Sequence, residues 1–212
     1  ISSKQNFKEL EKKSIAFILH KGLTYGALFE KSLYYSDDKN SQLNKYNILH
    51  LDYENFLSPE KNLHWVCLKK MKFSNYKILF KTISATIKTC YLIRSWSTFL
   101  GWLLCIQKYN DYLKYCEIIK KFKNLKIAII DYDCLCPKTL ILALEKNSIK
   151  CVATQERFIG PFYKSYCNTI FNTYYAASEN IVKVIKESKY NDIKNIIVAG
   201  QYRSDYISFY SK

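Results

Sequence analysis

The stretch Lys126-Ile-Ala-Ile-Ile-Asp131 decides the fold. A short, near-continuous apolar run of this kind is typical of a strand that is buried on both faces of a parallel sheet. Pro137 then falls where the first turn of a helix can accept it, and apolar residues continue at helical spacing to Lys146. The range Ile149–Thr154 is the next apolar run. This strand–helix–strand order predicts a βαβ unit.

The same alternation continues towards the C-terminus. Tyr174–Ser178 is typical of a short strand, and its last residue can cap a helix over Glu179–Lys189. Asn195–Ala199 is the next apolar run and is closed by Gly200. We expect three apolar residues of the helix over Glu179–Lys189 to face inward: Ile181, Val184 and Ile185. Consecutive units of this kind indicate a parallel sheet with right-handed connections.

The N-terminal part extends the pattern. Ile15–His20 is a candidate buried strand that ends where Gly22 and Gly26 permit a turn, and Asn47–Tyr53 is a second candidate strand. Between them, Thr24–Tyr35 has helix-like spacing. The sequence therefore predicts an α/β fold with a Rossmann-like three-layer parallel sheet. A length of 212 residues suits one domain, which we expect to span residues 1–200.

The middle of the chain has a helical period from Ser74 to Lys123. Its apolar residues form two stripes: Tyr76, Leu79, Phe80, Ile83, Ile87 and Cys90 in the first, and Cys105, Ile106, Tyr109, Tyr112, Leu113, Cys116 and Ile119 in the second. The 13 residues from Ser95 to Gln107 carry no charge, which is short of the roughly 20 residues that a membrane-spanning helix needs. A buried helix or an interfacial segment is expected instead.

The net charge of +15 is concentrated in this middle part. Residues 61–126 carry 14 basic and 2 acidic side chains, a net charge of +12, whereas residues 1–60 are neutral and residues 127–212 carry +3. A basic helical segment over 61–126 predicts peripheral contact of residues 73–123 with the anionic inner face of the plasma membrane. The alternative is a solvated basic helix face over an ordinary core.

Nucleic-acid binding is not expected from this charge. Lys outnumbers Arg 30 to 3, and Arg is the residue preferred for phosphate recognition. The chain also lacks the signature residues of the common nucleic-acid-binding modules. A preference for A/T-rich codons explains part of the Lys excess, although it does not explain why that excess is concentrated in one segment.

Cysteine and cofactor motifs give no further chemistry. The eight cysteines include no CxxC pair and mostly lie in apolar runs, so we expect buried thiols, neither zinc nor disulfides, and a cytoplasmic location. No dinucleotide, P-loop or nucleophile-elbow motif is present. The sequence therefore predicts no metal site and no cofactor.

Candidate catalytic residues follow the predicted strands, because ligands of parallel sheets bind beyond the carboxyl ends of the strands. A lone His of this kind is either a structural residue or a catalytic one, and His20 is the best general-base candidate by position. Asp133 forms a possible carboxylate pair with Asp131, or the two residues cap the following helix. Glu156 and Arg157 form a local ion pair or bind a sugar hydroxyl or a phosphate.

The last third of the chain resembles a known family. The run Ala143-Leu-Glu-Lys-Asn-Ser-Ile-Lys-Cys-Val-Ala-Thr-Gln-Glu-Arg157 is similar to the segment ALEK-x-GIKTV-x-x-QHG of GT-B-type surface-polysaccharide glycosyltransferases and CDP-glycerol glycerophosphotransferases. Tyr175-Ala-Ala-Ser-Glu179 is similar to their AD-x-x-x-x-x-GE strand. Asn195-Ile-Ile-Val-Ala-Gly-Gln-Tyr-Arg-Ser-Asp205 resembles their I-x-V-x-G-x-PR-x-D motif. The resemblance covers about 80 residues, from Lys126 to Tyr206.

The resemblance implies the acceptor-side half of a GT-B architecture. Residues 201–212 would begin a linker to a second domain that binds the nucleotide-activated donor, and this half alone would be inactive. A glycan or lipid-linked acceptor would be the other substrate. His20, Asp133 and Glu156 are the candidate catalytic residues. The candidate substrate-binding residues are Gly22, Tyr25, Gln155, Arg157, Gly200, Arg203 and Asp205.

Two departures from the family pattern leave an alternative open. Glu156-Arg157 stands where the family has His-Gly, so the role of that His does not transfer, and Tyr202 replaces the family Pro. The alternative is a non-catalytic Rossmann-like binding module that has lost transferase chemistry.

Overall fold

The computed structural model describes residues 14–19, 48–52, 65–67, 75–130, 136–155, 169–188 and 191–200. The strands are β1 (Ile15–Leu19), β2 (Ile48–Asp52), β3 (Trp65–Cys67), β4 (Ile127–Ile130), β5 (Lys150–Thr154), β6 (Ile170–Ala176) and β7 (Asp192–Val198). The helices are α1 (Asn75–Thr89), α2 (Trp96–Ile119), α3 (Lys138–Lys146) and α4 (Glu179–Glu187). A 3-10 turn at Cys90–Leu92 follows α1.

The seven strands form one sheet in the order β3-β2-β1-β4-β5-β6-β7, and every pairing is parallel. From β1 the chain moves outward to β2 and β3, and then returns to the other side of β1 and continues from β4 to β7. An all-parallel sheet connected by helices confirms the predicted α/β Rossmann-like fold.

Handedness places the described helices on one face of the sheet. The crossovers from β3 to β4, from β4 to β5 and from β6 to β7 all advance in the same direction along the sheet. Right-handed connections therefore put α2, α3 and α4 on the same side, and α2 indeed packs against α3. The connections between β1, β2 and β3 lie outside the described residues, so the third layer stays a prediction.

The core lies between this helical face and the central strands. Ala16, Ala128 and Cys151 form one buried row across β1, β4 and β5, in register. A second row consists of Ile18, Ile130, Ala153 and Tyr174. The largest helical contributors to the same cluster are Leu140, Leu144, Ile119 and Ile181. The small side chains of the first row let the helices approach the sheet closely, which favours dense packing.

Strand β6 contains an irregularity at Asn172. The pairing of β6 with β7 passes over this residue, and its Oδ1 atom accepts a hydrogen bond of 2.7 Å from the backbone N–H of Cys151. The side chain thus substitutes for a backbone acceptor at the edge of the β5–β6 ladder. Phe171 and Tyr174 are both buried, and their rings stack with centroids 5.8 Å apart.

Several predicted details need correction. Strand β6 begins at Ile170 and is longer than the predicted Tyr174–Ser178, and α4 ends at Glu187, not at Lys189. Val184 is exposed, and Val182 is buried with Ile181 and Ile185. The two valines flank the line from Ile181 to Ile185 on opposite sides, and only the flank of Val182 faces the core.

Two further predictions about polar and thiol groups differ in detail. Ser178 occupies the N-cap position of α4, as expected, but its side chain makes no capping hydrogen bond, and Pro137 is the N-cap of α3, one residue before its first turn. Cys90 and Cys105 are exposed, contrary to the general expectation of buried thiols. Both lie where the surrounding apolar helices are not covered by the sheet.

Helices α1 and α2 form an antiparallel hairpin, which we call the α1–α2 hairpin (residues 75–119). Trp102 Nε1 donates a hydrogen bond of 2.9 Å to Thr89 Oγ1 near the connection. At the other end, Lys81 of α1 lies close enough to Glu117 of α2 to lower its pKa, after the larger effect of the hydrogen bond from Lys120. In α2, burial begins only at Leu113. The N-terminal half of α2 is therefore not packed on the sheet.

Candidate functional site

The order of the strands defines the candidate site. The order in which the strands are connected changes direction between β1 and β4. The chain leads from β1 to β2 on one side, whereas it leads from β4 to β5 on the other side. In open parallel sheets the loops at such a switch point separate, and the crevice beyond the carboxyl ends of the strands binds ligands. The carboxyl edge of β1, β4 and β5 is therefore the place where chemistry is expected.

The described strand ends bring three predicted loops to this edge. β1 ends at Leu19, β4 at Ile130 and β5 at Thr154, and these strands are direct neighbours. Since adjacent strands lie about 4.8 Å apart, the exit points of β1 and β5 are about 10 Å from one another. Gly200, directly beyond β7, is two strands further along the same edge.

Most of the predicted site residues lie outside the described residues. They are His20, Gly22, Tyr25, Asp133, Glu156, Arg157, Arg203 and Asp205. The chain connectivity nevertheless fixes where they are attached: His20 follows the end of β1 directly, Asp133 is three residues beyond β4, and Glu156 is two residues beyond β5. Their roles stay predictions.

Gln155 is described, and its side chain acts within the sheet. It is buried, and its Oε1 atom accepts a hydrogen bond of 2.8 Å from the backbone N–H of Ala177. Its own N–H donates to the carbonyl oxygen of Tyr175 at 2.9 Å. The side chain thus ties the end of β5 to the end of β6, which fixes the floor of the candidate site. This contact gives Gln155 a positioning role in addition to the predicted binding role.

Gly200 is the second described member of the predicted set. Its φ of 78° lies in the left-handed region, which glycine adopts without strain. The preceding residue, Ala199, still donates a hydrogen bond of 2.9 Å to the carbonyl oxygen of Ala176. Gly200 therefore has a left-handed backbone conformation directly where the resemblance places the motif that carries Arg203 and Asp205.

A groove between α2 and α3 was not predicted from the sequence. It has a volume of about 530 Å³ and is lined by Lys108, Tyr109, Tyr112, Thr139, Leu142, Glu145 and Lys146. Burial raises the pKa of Tyr112 to about 12, and its hydrogen bond with Cys116 acts in the same direction. Glu145 accepts a hydrogen bond of 2.9 Å from Lys194 on β7. Tyr109 and Tyr112 belong to an apolar stripe that the sequence predicts, and only the packed position of α3 shows that they line a groove.

The buried thiols of the described core are not activated. Burial raises the pKa of Cys151 to about 12 and that of Cys136 well above its ordinary value. Both groups therefore stay protonated at neutral pH, and the thiolate is the reactive form of cysteine. These two residues serve packing.

The described ranges contain neither a metal-binding cluster nor a membrane-spanning helix. Within residues 14–19, 48–52, 65–67, 75–130, 136–155, 169–188 and 191–200, no three His, Cys, Asp or Glu side chains converge as metal ligands. In the same part of the chain, no helix has the length and apolar character to cross a membrane.

Comparisons with known proteins found no significant match. No protein-family model matches the chain. Neither the curated proteins nor the solved structures yielded a significant match.

Proposed function

We propose that the chain is the acceptor-side half of a GT-B-like transferase of cell-surface polysaccharide, acting with a nucleotide-linked sugar or polyol donor. The observation that supports this best is the sheet itself. The strand order has a switch point between β1 and β4. The loops that carry the predicted site residues follow the carboxyl ends of the strands, at one edge of the sheet. The segment from Lys126 to Tyr206 resembles GT-B-type surface-polysaccharide transferases, and this resemblance suggests the substrate class.

The proposed chemistry uses residues at this edge. His20, or a carboxylate at Asp133 or Glu156, takes the proton of an acceptor hydroxyl group as it attacks. For a sugar donor, a new bond forms between the acceptor oxygen and the anomeric carbon. The bond from that carbon to the phosphate oxygen breaks, and its electron pair leaves with the nucleoside diphosphate. Arg203 stabilises the departing negative charge.

The test is transfer by the full natural chain, with any sequence that continues it. Purified protein is incubated with UDP-, GDP- and CDP-linked donors and a lipid-linked or glycan acceptor, and nucleotide release is measured. We expect acceptor-dependent release, and we expect His20→Ala to lower it by about 10²- to 10⁴-fold. His64→Ala is the matched control, because His64 has no proposed role. Absence of both donor binding and release would overturn the proposal.

One observation favours the second candidate, a non-catalytic binding module. The side-chain oxygen of Gln155, a residue of the resembling segment, is engaged in the sheet by Ala177. Together with Glu156-Arg157 in place of His-Gly, this leaves fewer groups of that segment for catalysis. The same assay separates the two functions: glycan binding without nucleotide release from any donor indicates the binding module.

A further inference from the structure

We propose that the α1–α2 hairpin docks onto the surface of an anionic lipid bilayer, with its apolar side chains in the interface and its basic side chains against the lipid headgroups. This inference does not depend on the transferase proposal, because it rests only on described residues of the hairpin. The basic charge of the sequence predicts membrane contact over residues 73–123. The structure adds which side chains of this segment are exposed.

Helix α1 has three distinct faces. The face towards α2 carries Ile78, which is 4% exposed, and small residues at helical spacing from it. A second face carries Lys77, Lys81 and Lys88, all exposed. The third is apolar and points away from α2; it consists of Tyr76, Leu79, Phe80, Ile83 and Ile87, with Phe80 75% exposed. The predicted apolar stripe therefore forms on a helix, as expected, and within the described residues nothing covers it.

Helix α2 continues the uncovered surface. Leu100, Leu103 and Leu104 are exposed on its N-terminal half. The connection between the helices adds Tyr91, and the first residue of α2 is Trp96; these two side chains are 74% and 73% exposed. Trp96, Phe99 and Trp102 form a ladder of rings with centroid separations of 5.3 and 6.2 Å. Tryptophan and tyrosine are the residues that membrane proteins place at the level of the headgroups.

The polar groups of the hairpin are largely satisfied inside it. Thr82, Thr86 and Thr89 donate their hydroxyl protons to carbonyl oxygens one turn earlier, at 2.7 to 2.9 Å. At the start of α2, Thr98 Oγ1 accepts from the N–H groups of Arg94 and Ser95 at 2.9 and 2.8 Å. Because these groups already have partners, the hairpin can leave water with a small desolvation cost.

Charge determines the occupant. Between residues 75 and 110 there are five basic residues and no acidic one, and all five are exposed: Lys77, Lys81, Lys88, Arg94 and Lys108. A second copy of the chain would bring the same cations face to face in a two-fold interface, which is unfavourable. A nucleic acid would match the charge but not the apolar stripes. An anionic bilayer matches both, as in interfacial amphipathic helices.

The hairpin is also placed usefully for the candidate site. α2 has 24 residues and α3 has 9, so at 1.5 Å per residue they are about 36 and 14 Å long. Both helices lead into the amino ends of strands, β4 and β5. Lys108 and Tyr109 lie beside Thr139, in the first turn of α3, at the carboxyl edge of the sheet. The residues of α2 before Lys108 therefore project past α3 on the side of the site.

The test is binding of the full chain to lipid vesicles of phosphatidylcholine alone and of phosphatidylcholine mixed with phosphatidylglycerol, measured by flotation. We expect binding to the anionic vesicles that weakens at high salt. The triple variant K77Q/K81Q/K88Q should lower the partition coefficient on the order of 100-fold, at about fivefold per basic residue. The matched control is K150Q/K183Q/K186Q, which removes three exposed lysines outside the hairpin and should change little.

A second variant tests the apolar part. F80A/I83A/I87A should also weaken binding on the order of 100-fold, whereas L142A/V184A/I197A, at exposed apolar positions elsewhere, should not. Circular dichroism of each variant confirms that the chain is folded. Binding that is equal on neutral and anionic vesicles, or that survives the apolar variant unchanged, would overturn the proposal. So would a dimer in solution that F80A/I83A/I87A dissociates while vesicle binding stays the same.

Discussion

The sheet domain and the α1–α2 hairpin are built from the same kinds of residue and differ in what covers them. Leu144 of α3 is 0% exposed, whereas Leu79 of α1 is 60% exposed, although both lie on apolar stripes of amphipathic helices. The stripe of α3 packs against β5 and β6, and the outer stripes of the hairpin pack against nothing in the described chain. Amphipathicity thus specifies a helix and its apolar side, but not whether that side faces a core.

The difference also separates the two roles proposed for the chain. The sheet holds the strand ends of the candidate site in place through buried contacts such as that of Gln155. Helix α1 and the N-terminal half of α2 contribute little burial and expose apolar area together with basic charge. Because stability and binding then depend on different residues, variants in one region should leave the property of the other unchanged.

The largest effect is expected from truncating the same residue type in both regions. Leu144→Ala removes a fully buried side chain and should lower the free energy of unfolding by about 2–5 kcal/mol. Leu103→Ala should change it by no more than about 0.5 kcal/mol. Urea unfolding of the two variants measures both values. A loss at Leu103 as large as that at Leu144 would show that the hairpin is part of the core.

A smaller effect is expected from the buried thiol of Cys151 at alkaline pH. Its pKa is raised to about 12 by burial, from an ordinary value near 9. Above about pH 9 the unfolded chain therefore loses this proton while the folded chain keeps it. The free energy of unfolding should fall by about 1.4 kcal/mol per pH unit from this group until the pH reaches its folded pKa.

The control for this pH dependence is a thiol of the hairpin. Cys151→Ala should flatten the alkaline slope, whereas Cys105→Ala should leave it as it is, because Cys105 is exposed. Urea unfolding at several values between about pH 8 and 11 gives the slope of the free energy of unfolding against pH for each variant. Equal slopes in the two variants would contradict the account of Cys151.

The smallest effect is expected at the start of α2. Thr98→Ala removes the hydroxyl that accepts from Arg94 and Ser95, and the capping box with Ser95 is lost. The free energy of opening the first turn of α2 should fall by about 1 kcal/mol. Amide hydrogen exchange without lipid measures this value. Ser97→Ala, which removes a hydroxyl that hydrogen-bonds with the side chain of Ser95, should change exchange by less than half as much.

The fold could be predicted from the sequence to a large extent. Strands β4 and β5 and helix α3 were expected, because buried parallel strands and the intervening helix have strong apolar patterns. β3 was not predicted, since three residues, Trp65–Cys67, are too few to show a period. Val184 was placed inward in error, because a period of 3.6 residues does not reveal which flank of a stripe meets the sheet.

The candidate site was predictable only as a location. The positions after the strands follow from topology, and Gly200 indeed has a positive φ. The role of Gln155 could not be foreseen, because its partner Ala177 lies 22 residues further along the chain. The uncovered stripe of α1 could not be foreseen either, although the absence of acidic residues from 75 to 110 was a usable signal.

Hydrogen exchange of the full chain with and without phosphatidylglycerol-containing vesicles tests the central claim most directly. The account predicts slower exchange on vesicle binding at the connection and the N-terminal half of α2, with the amides of β4, β5 and α3 unchanged. Neutral phosphatidylcholine vesicles should give no such protection. Protection confined to the sheet domain, or protection of the hairpin by neutral vesicles to the same degree, would contradict the assignment of the α1–α2 hairpin as an anionic-membrane surface.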